Sequence, residues 1–166
     1  MRRFVLRFSL AAALLLGAYY FPYDPRGLGG LLLRLYLATY ARAAGGAIGL
    51  FDGSVHVDGT HIVGRTTLDF ALSCDAMDVL CLFAAATYGV DASWRARALG
   101  VGVAGAAMVA INIARIVMLY FIAIYAPSRF ELFHMEIFPL AIVLAAVAGF
   151  LLWIRSSAAP AAATVA

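Results

Sequence analysis

Three residues in a largely apolar chain have the side chains needed for acyl transfer. Cys74 sits in Leu72-Ser73-Cys74-Asp75, Arg115 in Asn112-Ile113-Ala114-Arg115 and His134 in Leu132-Phe133-His134. A cysteine attacks as its thiolate, so it needs an imidazole to accept the proton and cationic surroundings to stabilise the charge. Attack on an amide creates an oxyanion, and a planar guanidinium offers fixed donors to hold it. Polar side chains in or beside hydrocarbon are costly, and that cost marks them as functional candidates.

The elements that must position them are set by composition. With 65% hydrophobic and 13% charged residues over 166 positions, and a mean hydropathy of +0.96, the chain reads as an integral membrane protein. Its positive charge is carried by twelve arginines and no lysine. They are scattered rather than clustered with aromatics, which argues against a nucleic-acid partner and for helix-end residues that orient the chain in the bilayer.

Five apolar segments are expected. Residues 4–21 follow Met1-Arg2-Arg3 and end without a small-x-small cleavage site, so they read as a retained anchor with a cytoplasmic start. Pro22 and Pro25 break this segment. Residues 28–50 carry Arg34, Ala38, Ala41, Gly45 and Gly49 at helical spacing, a small-residue stripe suited to close packing. The remaining segments are residues 74–90, 98–125 and 135–154, each about long enough to cross a bilayer. The expected architecture is an all-α polytopic membrane protein. It is one bundle of about five hydrophobic helices over residues 1–154, followed by a disordered tail at 155–166.

Residues 51–72 interrupt this pattern with a short extracytoplasmic β-hairpin. Ser54-Val55-His56-Val57 and Thr60-His61-Ile62-Val63 flank Asp58-Gly59, a two-residue turn signal. That register sets His56 opposite His61. A third ligand at suitable spacing is missing, so a polar hairpin face is expected rather than a metal site. No cofactor is expected.

Arg95, Arg97 and Arg155 assign their helix ends to the cytoplasm. Cys74 and His134 then fall at the outer face of the cytoplasmic membrane. Arg115 lies ten residues before the end of its segment, roughly 15 Å deep, and can reach upward by snorkelling. With Arg2 and Arg3 inside and the hairpin outside, the first two segments must make an odd number of crossings. Residues 28–50 are therefore read as tilted and partly interfacial; two full crossings from an outer N-terminus are the alternative.

Cys74 and Cys81 are seven residues apart, about 10 Å along one helix, too far for a disulfide. Cys81 reads as a small buried apolar residue. Asn112 shares a helical face with Arg115 and is expected either to orient it or to pack helices. Asp78 is expected to neutralise Arg115 or Arg34, and Glu136 to stand as a helix N-terminal charge.

A cysteine opening a membrane helix after an extended segment, Asn-x-x-Arg in the next hydrophobic helix and Phe-His before a further one resemble the exosortase/archaeosortase family. The resemblance covers residues 55–154. It implies a polytopic membrane cysteine transpeptidase (a thiol protease in chemistry) that acts in protein sorting. The catalytic cysteine, arginine and histidine carry over onto Cys74, Arg115 and His134. Membrane-anchored proteins with a C-terminal sorting signal are the implied substrates. Two departures stand out. Members commonly have a small residue and then glycine after the cysteine, where this chain has Asp75-Ala76, and they often have about eight membrane helices. A carboxylate beside the thiol opposes thiolate formation, so Arg115 or His134 must offset it. Two other classes fit the polar residues: a non-catalytic membrane scaffold or accessory subunit, and a thiol oxidoreductase, which the lack of Cys-x-x-Cys disfavours.

Overall fold

The computed structural model describes residues 2–158. These are mostly helical, with one small sheet. In chain order they form α1 (Arg2–Tyr19), α2 (Leu28–Gly49), β1 (His56–Asp58), β2 (His61–Val63), β3 (Thr67–Asp69), α3 (Met77–Gly89), α4 (Trp94–Tyr125), α5 (Phe130–Leu132) and α6 (Phe138–Ala158). Short 3₁₀ turns occupy Leu72–Cys74 and Pro127–Arg129, and a π-helical turn occupies Phe133–Ile137. Two stretches among the described residues are long and apolar enough to cross a membrane, Trp94–Tyr125 and Pro127–Ser157. At 32 residues and about 1.5 Å per residue, α4 exceeds the roughly 30 Å hydrocarbon thickness. Large apolar side chains such as Leu14, Leu35, Val103, Leu144 and Leu152 remain exposed, as expected where lipid rather than water is the solvent.

The chain divides into two compact units. One contains residues 2–21, Met77–Met108 and 141–158. Its α1 packs on α3, and Arg7 pairs with Asp91 in the loop after α3. There Phe83 meets Phe150 edge-on with ring centroids 6.0 Å apart, and the Trp153 indole N–H donates to the Ala96 carbonyl at 3.0 Å. Gly100 lies directly against that indole, where a Cβ would collide.

The second unit, Pro22–Ala76 with Val109–Leu140, has its own core of Tyr40, Ala41, Ala44, Ile48, Ile62, Phe70, Ile116 and Tyr120. Small residues on α2 let the sheet approach closely: a side chain at Gly45 would strike the Val57 methyl. The packing stripe is thus Ala41, Ala44, Gly45 and Ile48, whereas Arg34 and Gly49, expected on it, are exposed. Ile48 and Ile62 are completely buried, a contribution of about 1.5–3 kcal/mol each. Tyr40 stacks on Phe70 at 5.0 Å.

The expected hairpin is a three-stranded antiparallel sheet in the order β1-β2-β3. Its first turn is shifted by one residue: Asp58 pairs with His61, Val57 with Ile62 and His56 with Val63. Gly59 explains the shift, since it takes φ +60 at the first turn position, where only a residue without Cβ is unstrained. His56 and His61 are therefore not cross-strand partners. His61 instead stands between Asp58 and Asp69, its Nδ1 3.3 Å from the Asp69 carboxylate.

Two helix boundaries also differ from expectation. The third segment becomes helical only at Met77, three residues after Cys74. At the other end, α6 continues through Arg155 to Ala158, and the rest of the expected disordered tail lies outside the described residues.

Candidate functional site

Cys74 ends the 3₁₀ turn Leu72–Cys74. The buried Asp75 follows it, and then Ala76, the one non-glycine residue at positive φ (57°) among those described. That left-handed residue turns the chain away from the 3₁₀ path and into α3. An L side chain there costs roughly 1–2 kcal/mol relative to right-handed backbone. Glycine is the residue that takes such a φ without strain.

Asn112 and Arg115 lie three residues apart on α4, on one helical face. Asn112 is completely buried and Arg115 is 6% exposed. The Asn112 side-chain amide donates to the Cys74 carbonyl at 2.6 Å and to the Tyr40 hydroxyl at 3.1 Å. Its Oδ1 accepts from Arg115 Nη1 at 3.4 Å. Both ends of the amide are thereby used, as burial demands. Tyr40 in turn donates to the Val109 carbonyl at 3.5 Å.

Arg115 also donates from Nη2 to the His134 backbone carbonyl at 3.3 Å. The sequence around His134 explains why that carbonyl is available. In a regular α-helix it would accept from the Phe138 N–H, but that N–H bonds back to Phe133. In the π-pattern its donor would be residue 139, which is Pro139 and has no N–H. Pro139 so accounts for the wide turn at Phe133–Ile137, a distortion common at functional sites, and for the opening that Arg115 fills. The His134 ring lies 5.4 Å from that of Phe130, one turn earlier.

Cys74, Arg115 and His134 border one cavity of about 290 Å³. Its other walls are Ile62, Thr67, Leu68 and Asp69 from the sheet, Phe70 just after it, Ile116 and Leu119 from α4, and Phe130. The structure thus brings four of the five predicted site residues together within the second unit. Asp78 belongs to the first unit, where it stands in the first turn of α3 and accepts from the Val79 N–H at 2.8 Å. Neither cysteine is in a disulfide. No group of three metal-ligating side chains occurs among the described residues.

A family model described as transmembrane exosortase matches residues 2–154. The chain belongs to the transmembrane exosortase family. This is a family of membrane transpeptidases, so membrane residence and family agree with the two long apolar helices. No curated protein and no solved structure matches the chain. Two residues that support the exosortase site from outside the cavity lining carry no role in the sequence expectations: Tyr40, which accepts from Asn112, and Pro139, which leaves the His134 carbonyl open. Pro139 carried a signal, being a proline five residues after a candidate histidine and inside an apolar helix. Tyr40 carried none, because its partner Asn112 is 72 residues away.

Proposed function

We propose that this exosortase is a membrane-embedded cysteine transpeptidase or peptidase that cleaves C-terminal sorting signals of membrane-anchored exported proteins. Cys74 is the nucleophile, His134 the base and Arg115 the oxyanion stabiliser. The observation that carries the reading is the Asn112 side chain, which joins the Cys74 backbone to the Arg115 guanidinium while Arg115 holds the His134 backbone. Three chemically complementary groups are thereby fixed around one cavity.

In this reading the Cys74 proton passes to His134, and the thiolate adds to the carbonyl of the scissile peptide. Arg115 donates to the oxyanion, which a low-dielectric site makes more effective than water would. The tetrahedral species collapses by breaking the C–N bond, and His134 returns the proton to the departing amine. The thioester left on Cys74 is then released by an incoming amine or by water. Asn112 positions Arg115 and the turn that carries Cys74, and Asp78 supports the start of α3. No metal or other cofactor takes part. The chain crosses the cytoplasmic membrane more than once, with residues 51–72 and the cavity on its extracytoplasmic side. Helix packing in the bilayer contributes to substrate recognition.

The test is co-expression with a tagged substrate ending in a short motif, an apolar helix and arginines, following removal of that tail by size. Wild type removes it. Cys74→Ala, Arg115→Ala and His134→Ala each accumulate but do not. Processing that persists in Cys74→Ala overturns the reading and favours a scaffold or accessory role.

A further inference from the structure

The cavity that holds Cys74 has a sheet edge as one wall. Thr67, Leu68, Asp69 and Phe70 all line it, and β3 is the outermost strand on that side. The phase of the β2–β3 ladder fixes which way its backbone groups point. Phe70 N–H donates to Thr60 O and Gly64 N–H to Thr66 O, so the pairs 60·70 and 64·66 are hydrogen-bonded. Alternation makes Ile62·Leu68 the bonded pair between them, while His61·Asp69 and Val63·Thr67 are non-bonded. The N–H and C=O groups of Thr67 and Asp69 therefore face away from β2, along the edge that borders the cavity.

Exposed strand edges are usually blocked by proline, by inward charges or by a covering element. Strand β3 contains no proline, and Thr67 and Asp69 are exposed. Its one charge, Asp69, is turned toward the neighbouring strand, where it accepts from Thr60 Oγ1 at 3.4 Å and pairs with His61. The opposite edge of the sheet, β1, packs over α2 instead. A peptide about to be attacked by a thiolate must be extended across the nucleophile, and an open edge supplies main-chain bonds to such a segment without reading its side chains. Leu68, Phe70, Ile116, Leu119 and Phe130 then give apolar walls to the residues beside the scissile bond.

We propose that β3 is the docking strand for the substrate. The extended segment ahead of the substrate's membrane helix adds to the outer edge of β3 as a fourth strand. It bonds to the backbone of Thr67 and Asp69, and this delivers its carbonyl to Cys74. The proposal rests on the transpeptidase reading above.

Two measurements test it, using the same tagged substrate and the full-length enzyme in membranes. Thr67→Pro removes an outward N–H without touching the β2 ladder, a substitution edge strands accept. It should accumulate normally and process the tail about threefold to tenfold more slowly, as expected for one lost hydrogen bond. In a Cys74→Ala, Cys81→Ala background, cysteines introduced by Thr67→Cys or Asp69→Cys are oxidised against a scan of single cysteines in the substrate. Strand pairing requires the positions reached from 67 and 69 to lie two residues apart. Wild-type processing by Thr67→Pro, or cross-links without the two-residue offset, overturns strand docking. If Thr67→Pro fails to accumulate, the cross-links alone decide. A Cys74→Ala enzyme that still processes the tail sinks the transpeptidase reading itself, whereas an inert Cys74→Ala with no offset sinks strand docking only.

Discussion

Pro139 follows His134 by five residues and has no N–H to give to its carbonyl, and Arg115 gives one instead. A proline thereby creates the acceptor that anchors the guanidinium from another helix. In Pro139→Ala the helix can close its regular ladder, with the Phe138 N–H returning to His134 O. Removing an interior helix proline relieves about 3 kcal/mol of backbone conflict, so the variant should melt higher. Arg115 would lose this acceptor while keeping Asn112 Oδ1, and tail processing should fall by about tenfold, the equivalent of one charge-assisted bond. A variant both more stable and fully active would show that the opening at His134 has no positioning role.

Asn112 is the joint of the site, because one amide satisfies Cys74 O, Tyr40 and Arg115 together. Asn112→Leu fills the space but leaves the Cys74 carbonyl and a guanidinium N–H without these bonds. The expected loss is about 1–3 kcal/mol of stability, read as a lower melting temperature in detergent, with processing lost more completely than stability. Tyr40→Phe removes only the hydroxyl that accepts from Asn112 and should have the smaller effect on both. Equal effects from the two variants would contradict the joint.

How much of this was legible beforehand follows from the range of the interactions involved. The apolar segments and the convergence of Cys74, Asn112, Arg115 and His134 could be read because hydropathy is a local property and each site residue falls in a recognisable local motif. The sheet register differs from the Asp58-Gly59 turn the sequence suggests, because the backbone needs its positive φ at the first turn residue and so recruits Gly59-Thr60. The third strand, Thr67–Asp69, is only three residues long and exists through pairing with β2, which no periodicity over so short a span announces. Cys74 was expected to open a helix, because Asp75 and Ala76 carry no helix-breaking signal; the break is a left-handed alanine that only tertiary packing holds in place.

That alanine yields a prediction opposite in sign to most core substitutions. Ala76→Gly should raise stability by about 1 kcal/mol, since glycine takes positive φ without strain and little side-chain burial is lost. Processing should be retained or faster, because the turn carrying Cys74 keeps its path. A drop in melting temperature would mean that the Ala76 methyl contributes more by packing than its backbone costs.

The loop after α2 gives a pH dependence whose sign can be worked out. Asp52 accepts from the Ser54 hydroxyl at 2.7 Å and backbone N–H at 3.1 Å, and from the Tyr120 hydroxyl at 2.9 Å. The Ser54 bonds, foremost, and then Tyr120 hold its carboxyl below the usual carboxylate range. A carboxyl depressed in the folded state contributes stability above its unfolded pKa, and that contribution disappears as pH falls through the lower folded value. The wild-type melting temperature should therefore drop on acidification from pH 6 toward pH 3. Asp52→Asn should begin lower at pH 6 and drop less, because its amide does not titrate. Tyr120 also accepts from the Arg65 N–H at 2.9 Å, which ties this loop to the turn before β3. Asp52→Asn should accordingly slow tail processing slightly at neutral pH, and identical melting slopes for the two proteins would rule out Asp52 as the acid-sensitive tie.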